Sequence, residues 1–224
     1  MNENPLSQLA AVAALKDCAV VVIDMQNDFL AAGGAFEQLG YDLTAMQAMI
    51  PRLAGFLGQV RALGGQVIYV RHLFDRQRLS PAMRARGRRL FGSEEGFSVP
   101  HTWGAEIHPL LKPADNETVF DKYWYNAFSN PDFEAALAAR GVQTLVLSGV
   151  MTHVCVETTA RASNTRDFHT IIVEDCTAAD SPALHQAALE TLGAYFGWVC
   201  AAADLLALWR RQPESRWAGE QNKA

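Results

Sequence analysis

Three separated residues in this chain have the types and settings that hydrolytic chemistry requires: Cys155, Asp24 and Lys122. Cys155 lies in Ser148–Glu157 (SGVMTHVCVE), where an apolar segment runs into Gly149 and a helix is expected to open near Thr152. Thr152 is the expected cap of that helix, which puts Cys155 in its first turn. Unpaired backbone N–H groups and the helix dipole favour negative charge there, so the thiol pKa should fall and the reactive thiolate be favoured. The same N–H groups are suited to hold an oxyanion formed on a substrate carbonyl.

Asp24 closes Cys18–Asp24 (CAVVVID), which is otherwise apolar throughout. A buried carboxylate is costly unless paired or used, and this one can take a thiol proton and return it to a leaving nitrogen. Lys122 ends another largely apolar segment, Thr118–Lys122 (TVFDK), where its charge can hold Asp24 ionised. Each residue also has an ordinary reading: a buried core cysteine, a turn or cap acid after a strand, and a solvated lysine at a strand end. Cys18 and Cys200 lie in apolar strand segments and read as core. Cys176 follows Asp175 at a strand end but lacks the helix-opening turn.

The elements that would position these residues alternate. A continuous apolar run predicts a strand at Cys18–Asp24, and Gln66–Arg71, Thr118–Lys122, Thr144–Ser148, Thr170–Glu174 and Trp198–Cys200 read as further strands. Helical spacing of Met46, Ile50, Leu53, Leu57 and Val60 predicts a helix over Thr44–Leu63, stopped at Gly64–Gly65. Further helices are expected at Asn130–Arg140 (capped by Asn130, with Pro131 in its first turn), Thr152–Arg166 and Ser181–Tyr195, with a last one running to about Trp209. The stretch from Arg76 to about Trp103 reads as a long polar connection, and the tail from Arg211 as frayed. Alternation of this kind predicts an α/β fold with a mainly parallel six-stranded sheet, doubly wound, with helices on both faces. No repeat or low-complexity linker interrupts residues 1–224, which read as a single domain. If the strand order is 3-2-1-4-5-6, the switch point falls between the first and fourth strands, where ligands bind in such folds. Asp24 and the Gly149–Cys155 turn would then meet.

Composition narrows the function. The net charge of −5 gives no basic face for nucleic acid. No apolar run is long enough to span a bilayer, and Met1–Lys16 lacks the layout of a secretory signal, so a cytoplasmic protein is expected. Four widely spaced cysteines without a CxxC argue against a disulfide framework or a zinc knuckle. No GxGxxG follows the first strand, which argues against a dinucleotide enzyme.

Three segments together, Val22–Leu30 (VIDMQNDFL), Val119–Phe128 (VFDKYWYNAF) and Leu147–Thr159 (LSGVMTHVCVETT), resemble the isochorismatase-like cysteine hydrolase superfamily. The likeness runs in order from about Ala19 to Leu206 and includes Val173–Ala178 (VEDCTA). It implies that Asp24, Lys122 and Cys155 form a catalytic triad. It implies a cis peptide at Val150–Met151 and an oxyanion hole from the backbone N–H groups of Met151 and Cys155. It also implies a homo-oligomer, dimer or tetramer.

The resemblance divides by branch. Isochorismatases of the family cleave a vinyl ether without the cysteine, so Cys155 points to an amidase. Nicotinamidases carry a metal site with a D-x-H pattern. The matching region here, Val70–Asp75 (VRHLFD), has none, and His72 with Asp75 makes only two candidate ligands. Neither metal nor cofactor is expected. Gly33–Gln47 (GGAFEQLGYDLTAMQ) and Phe196–Trp198 (FGW) are similar to the ureidoacrylate amidohydrolase and biuret hydrolase subgroups. The expected partner is therefore a small amide or ureido substrate. Phe29, Phe36, His72, Trp124, Tyr125 and Thr152 are its expected contacts, beside the other flanking aromatics Trp103 and Phe128. An arginine among Arg76–Arg89 is open to either a substrate carboxylate or a solvated face. Two other functions stay open at this point: vinyl-ether hydrolysis by Asp24 without covalent catalysis, and non-catalytic binding of a small molecule on the same fold.

Overall fold

The computed structural model describes residues 5–92, 94 and 96–212; the expectation of a frayed tail falls largely outside them. Six strands form one sheet: β1 (Cys18–Ile23), β2 (Gln66–His72), β3 (Thr118–Lys122), β4 (Thr144–Val150), β5 (His169–Ala178) and β6 (Trp198–Cys200). All neighbours pair parallel, in the order β3-β2-β1-β4-β5-β6. The helices are α1 (Pro5–Val12), α2 (Asn27–Leu30), α3 (Ala35–Gln38), α4 (Thr44–Ala62), α5 (Pro81–Phe91), α6 (Pro131–Ala139), α7 (Glu157–Asn164), α8 (Pro182–Tyr195) and α9 (Ala202–Arg210). None of the described helices is long and apolar enough to cross a membrane.

The central strand shows why the run CAVVVI carries no polar residue. Successive side chains of a strand point to opposite faces. Cys18, Val20 and Val22 enter the core that holds Met46, Leu53 and Leu57 of α4 and Leu205, Leu206 and Trp209 of α9. Ala19, Val21 and Ile23 enter the other, with Phe133 and Leu137 of α6, Ala160 of α7 and Leu189 and Leu192 of α8. With both faces covered by helices, a parallel sheet has no position for a solvated side chain in its middle strands.

Three of the differences from expectation bear on the site. First, the connection after β2 contains α5. Ser80 Oγ accepts from Met83 N, Pro81 opens the helix and left-handed Gly92 closes it. These stop signals were readable, but the helix has no buried side chain and so no apolar stripe to announce it. Second, the segment after β4 does not enter an α-helix at Thr152. Thr152–Val156 forms a π-turn, and α7 begins only at Glu157. Third, β1 stops at Ile23 rather than Asp24, because Asp24 takes a left-handed conformation (φ 53°) that turns the chain out of the sheet.

Gly149 is the tightest point of the frame. It pairs with Ile23 across the β1–β4 ladder, at φ 106°. A Cβ there would stand 2.1 Å from the Ile23 carbonyl oxygen. Only glycine lets the two central strands approach and still turn the chain toward Cys155.

Candidate active site

The switch point of the sheet lies at the carboxyl ends of β1 and β4. Asp24 leaves β1 there, its N–H donating to Val70 O at 2.9 Å. Lys122 closes β3, in register with His72 of β2. From two strands away its long side chain reaches across the end of β2 and donates from Nζ to Asp24 Oδ2 at 2.8 Å. The same Nζ lies 3.4 Å from Cys155 Sγ. All three groups are buried, Lys122 completely. The second Asp24 oxygen, Oδ1, is buried and has no hydrogen-bond partner among the described residues.

Taking two ions out of water costs several kcal/mol for each, so such a pair is a poor way to stabilise a fold. Burial pushes the Asp24 carboxyl up, against the Lys122 charge that pulls it down. Burial alone would lower the Lys122 ammonium, but the Asp24 carboxylate and Cys155 outweigh it and hold it above the usual lysine range. The expectation of a lowered Cys155 pKa is reversed. Burial first, and the neighbouring Asp24 carboxylate second, push the thiol well up, while Lys122 only partly compensates. The physical reason is that a dry site penalises a new anion more than a helix end rewards it, and an anion already sits beside it.

Cys155 and Asp24 face a cavity of about 460 Å³ with largely apolar walls. Lys122 does not line it and stands behind them. The Val150–Met151 peptide bond is cis, and Val150, Met151 and Val154 line the cavity beside Cys155. Phe29, Phe36, His72, Trp124 and Tyr125 all face it. Thr152 does not. It is fully buried, its hydroxyl 2.8 Å from His185 Nδ1, and it caps no helix. That hydrogen bond ties the π-turn to α8. Trp103 is half exposed and Phe128 is packed in the core; neither lines the cavity. Cys176 is buried away from it, its thiol pushed up to about 12 by burial.

His72 is held by its backbone, whose N–H donates to Gln26 Oε1 at 2.7 Å while its carbonyl accepts from Gln26 Nε2 at 2.8 Å. Burial, aided by the nearby Lys122 charge, lowers its imidazole to about 3, so the ring is neutral. Asp75, the other member of the weak metal pair, accepts from Gln77 N and Arg78 Nε. Among the described residues no group of three or more His, Cys, Asp or Glu side chains is placed to hold a metal ion.

Several contributors went unread in the sequence. The polar run Gln26-Asn27-Asp28 after the central strand organises the loops around the cavity. Gln26 also donates to Ala105 O, Asn27 Nδ2 to Trp103 O, and the Asp28 carboxylate accepts from Ser98 N and Ala35 N. Three consecutive polar residues two positions after an all-apolar strand were the available signal. Tyr41, Phe97 and α5 also wall the cavity. His153 and Asp180, 3.9 Å apart, line it too.

The isochorismatase domain family matches residues 18–204. A ureidoacrylate amidohydrolase RutB of Methylorubrum extorquens is 31% identical over 193 residues, covering 80% of this chain and 77% of the relative. That of Caulobacter segnis is 33% identical over 205 residues, covering 84% of each. Among solved structures, an isochorismatase family protein from Desulfovibrio vulgaris subsp. vulgaris str. Hildenborough superposes with a TM-score of 0.74 at 29% identity, covering 87% of this chain and 99% of that one.

Proposed function

The chain belongs to the isochorismatase family of hydrolases, and on that premise we propose that it is a cysteine-dependent amidohydrolase of small linear amide, ureido or carbamoyl compounds. The observation that carries this reading is the buried cluster in which Lys122 Nζ bridges Asp24 Oδ2 and Cys155 Sγ at the end of the cavity. The relatives named as ureidoacrylate amidohydrolases support the substrate class.

Because burial and the Asp24 carboxylate raise the Cys155 thiol, Cys155 needs a base at the moment of attack. Asp24, within hydrogen-bond reach of Cys155, is that base and takes the proton as the S–C bond forms. The carbonyl oxygen becomes an oxyanion held by the Met151 and Cys155 N–H groups. Asp24 then gives its proton to the nitrogen, the C–N bond breaks, and ammonia or an amine leaves a thioester on Cys155. Water, deprotonated by Asp24, attacks the thioester. The C–S bond breaks and the thiol recovers its proton. Lys122 stays charged throughout, which keeps Asp24 ionised between proton transfers in a site that would otherwise neutralise it.

The test is ammonia release by wild type, Cys155→Ala and Cys155→Ser, with mass spectrometry of acid-quenched enzyme for an acyl adduct on the Cys155 peptide. Turnover is expected to fall by at least about a thousandfold in both variants, with the adduct confined to wild type. Full activity in Cys155→Ala would remove the covalent mechanism and favour hydrolysis by Asp24 alone.

A further inference from the structure

The cavity is larger and more apolar than a compact ureido acid needs, and it contains one arginine with an open binding edge. Cavities of about 300–1,000 Å³ hold drug-sized ligands, and this one is about 460 Å³. One wall is an aromatic cluster. Phe29 meets Phe36 and Phe97 edge-on with centroids 4.8 and 5.4 Å apart, and Tyr41 stacks on Phe36 at 4.5 Å. Such edges and faces recognise a flat apolar ring. They offer little to a molecule made of amide groups alone, which would lose water there without new partners.

The other wall is α5, with Met83, Arg84, Arg86, Gly87 and Leu90 lining the cavity. Of the arginines facing the cavity, Arg78 pairs with Asp75 and Arg84 with Glu94. Arg86 has no carboxylate partner among the described residues. It is half-buried, and its guanidinium lies over the Tyr125 ring at 5.2 Å. Stacking occupies the face of a guanidinium and leaves its N–H edge available for two parallel bonds to a carboxylate. Asp24, Asp75 and Glu94, which also line the cavity, are already paired with Lys122, Arg78 and Arg84 or Arg88, so an anion arriving with the ligand is a fitting partner for Arg86.

Resting on the amidohydrolase reading above, we propose that the preferred substrate has a ring-sized apolar body between the scissile group and a terminal anionic group, with Arg86 as the specificity-determining receptor of that anion. The scissile carbonyl sits at Cys155 on the sheet side, the body lies against the aromatic wall, and the anion meets Arg86 on the helix side.

The experiment uses four probes: 3- and 4-ureidobenzoate (two positions for the carboxylate), the neutral p-tolylurea, and the compact 3-ureidopropionate. Binding is measured calorimetrically on the full-length Cys155→Ala protein, and ammonia release on wild type and Arg86→Met. At least one ureidobenzoate is expected to bind about tenfold or more tighter than both p-tolylurea and 3-ureidopropionate. In Arg86→Met, the KM advantage of the ureidobenzoate over p-tolylurea should collapse toward one, with little change in kcat; Arg86→Lys should restore part of it. Equal or tighter binding of 3-ureidopropionate, or a carboxylate preference that survives in Arg86→Met, would overturn the proposal. The two readings separate cleanly. Selective binding of a ureidobenzoate without Cys155-dependent turnover would leave this inference standing and remove the mechanism. Cys155-dependent turnover of 3-ureidopropionate without preference for the aryl acids would do the reverse.

Discussion

Replacing Lys122 by Met keeps a long apolar stem in a fully buried position but removes the only charge paired with Asp24 among the described residues. Breaking a buried ion pair by deleting one partner costs about 3–5 kcal/mol, because the other ion is left without compensation. For a chain of this size that corresponds to a Tm lower by about 6–20 °C. The loss should depend on pH. The Asp24 carboxyl is already raised by burial, and Lys122 is the charge that pulls it down. Without Lys122 it rises further, so between the unfolded and folded pKa values the folded state binds the extra proton. Stability then falls as pH rises through that window. Lys122→Met should therefore lie closer to wild type at pH 5 than at pH 8 in urea melts. Adding Asp24→Asn, which removes the stranded charge, should recover part of the pH 8 loss. A Lys122→Met penalty identical at both pH values, with no recovery in the double variant, would refute the view of Asp24 and Lys122 as a coupled buried pair.

Gly149→Ala should lower stability by at least about 3 kcal/mol, since its Cβ would stand 2.1 Å from the Ile23 carbonyl at a backbone angle that favours glycine; thermal unfolding reads this directly. Cys18, Cys176 and Cys200 are held near pKa 12 by burial, so the folded state keeps protons that the unfolded chain gives up above about pH 9. Stability should be complete below that pH and fall above it by up to about 1.4 kcal/mol per pH unit for each thiol. Cys18→Ala should flatten the slope between pH 9 and 11 in denaturant titrations. His72, lowered to about 3, accepts no proton in the folded state near neutrality, whereas the unfolded chain protonates near pH 6.5. Its contribution to stability is present above pH 6.5 and lost as pH falls toward 3, and His72→Asn should weaken that acid-side loss. The pH–rate profile of kcat should carry no limb belonging to His72, so His72→Asn should leave its shape unchanged.

The sheet was legible because burial on both faces forces unbroken apolar runs. CAVVVI and TLVLS each declared a strand in this way, TVFDK at the sheet edge less so, and the switch point followed once the order was taken as 3-2-1-4-5-6. Lys122 illustrates the limit. Nothing in TVFDK says that the last side chain crosses the end of a neighbouring strand instead of reaching solvent; that depends on the register of Lys122 against His72. The Cys155 pKa was misread for a related reason. Local sequence shows a turn that favours an anion, while the opposing terms, dryness and the nearby Asp24, come from residues brought in by the sheet. α5 was missed because its stabilising signals are caps, and periodicity is silent for a helix that buries no side chain.

The division of labour around the cavity also bears on how new chemistry is acquired. Asp24, Lys122 and Cys155 stand at the ends of β1 and β3 and in the turn after β4, inside a frame where Gly149 tolerates no alternative. The wall contributed by α5 makes no ladder with the sheet and buries no side chain in its core. Substitutions there can alter which molecules enter without loosening the atoms that react. A scaffold built this way can reshape its cavity by drift on one outer helix, while the Asp24–Lys122–Cys155 cluster stays under the separate and stricter constraints of the sheet.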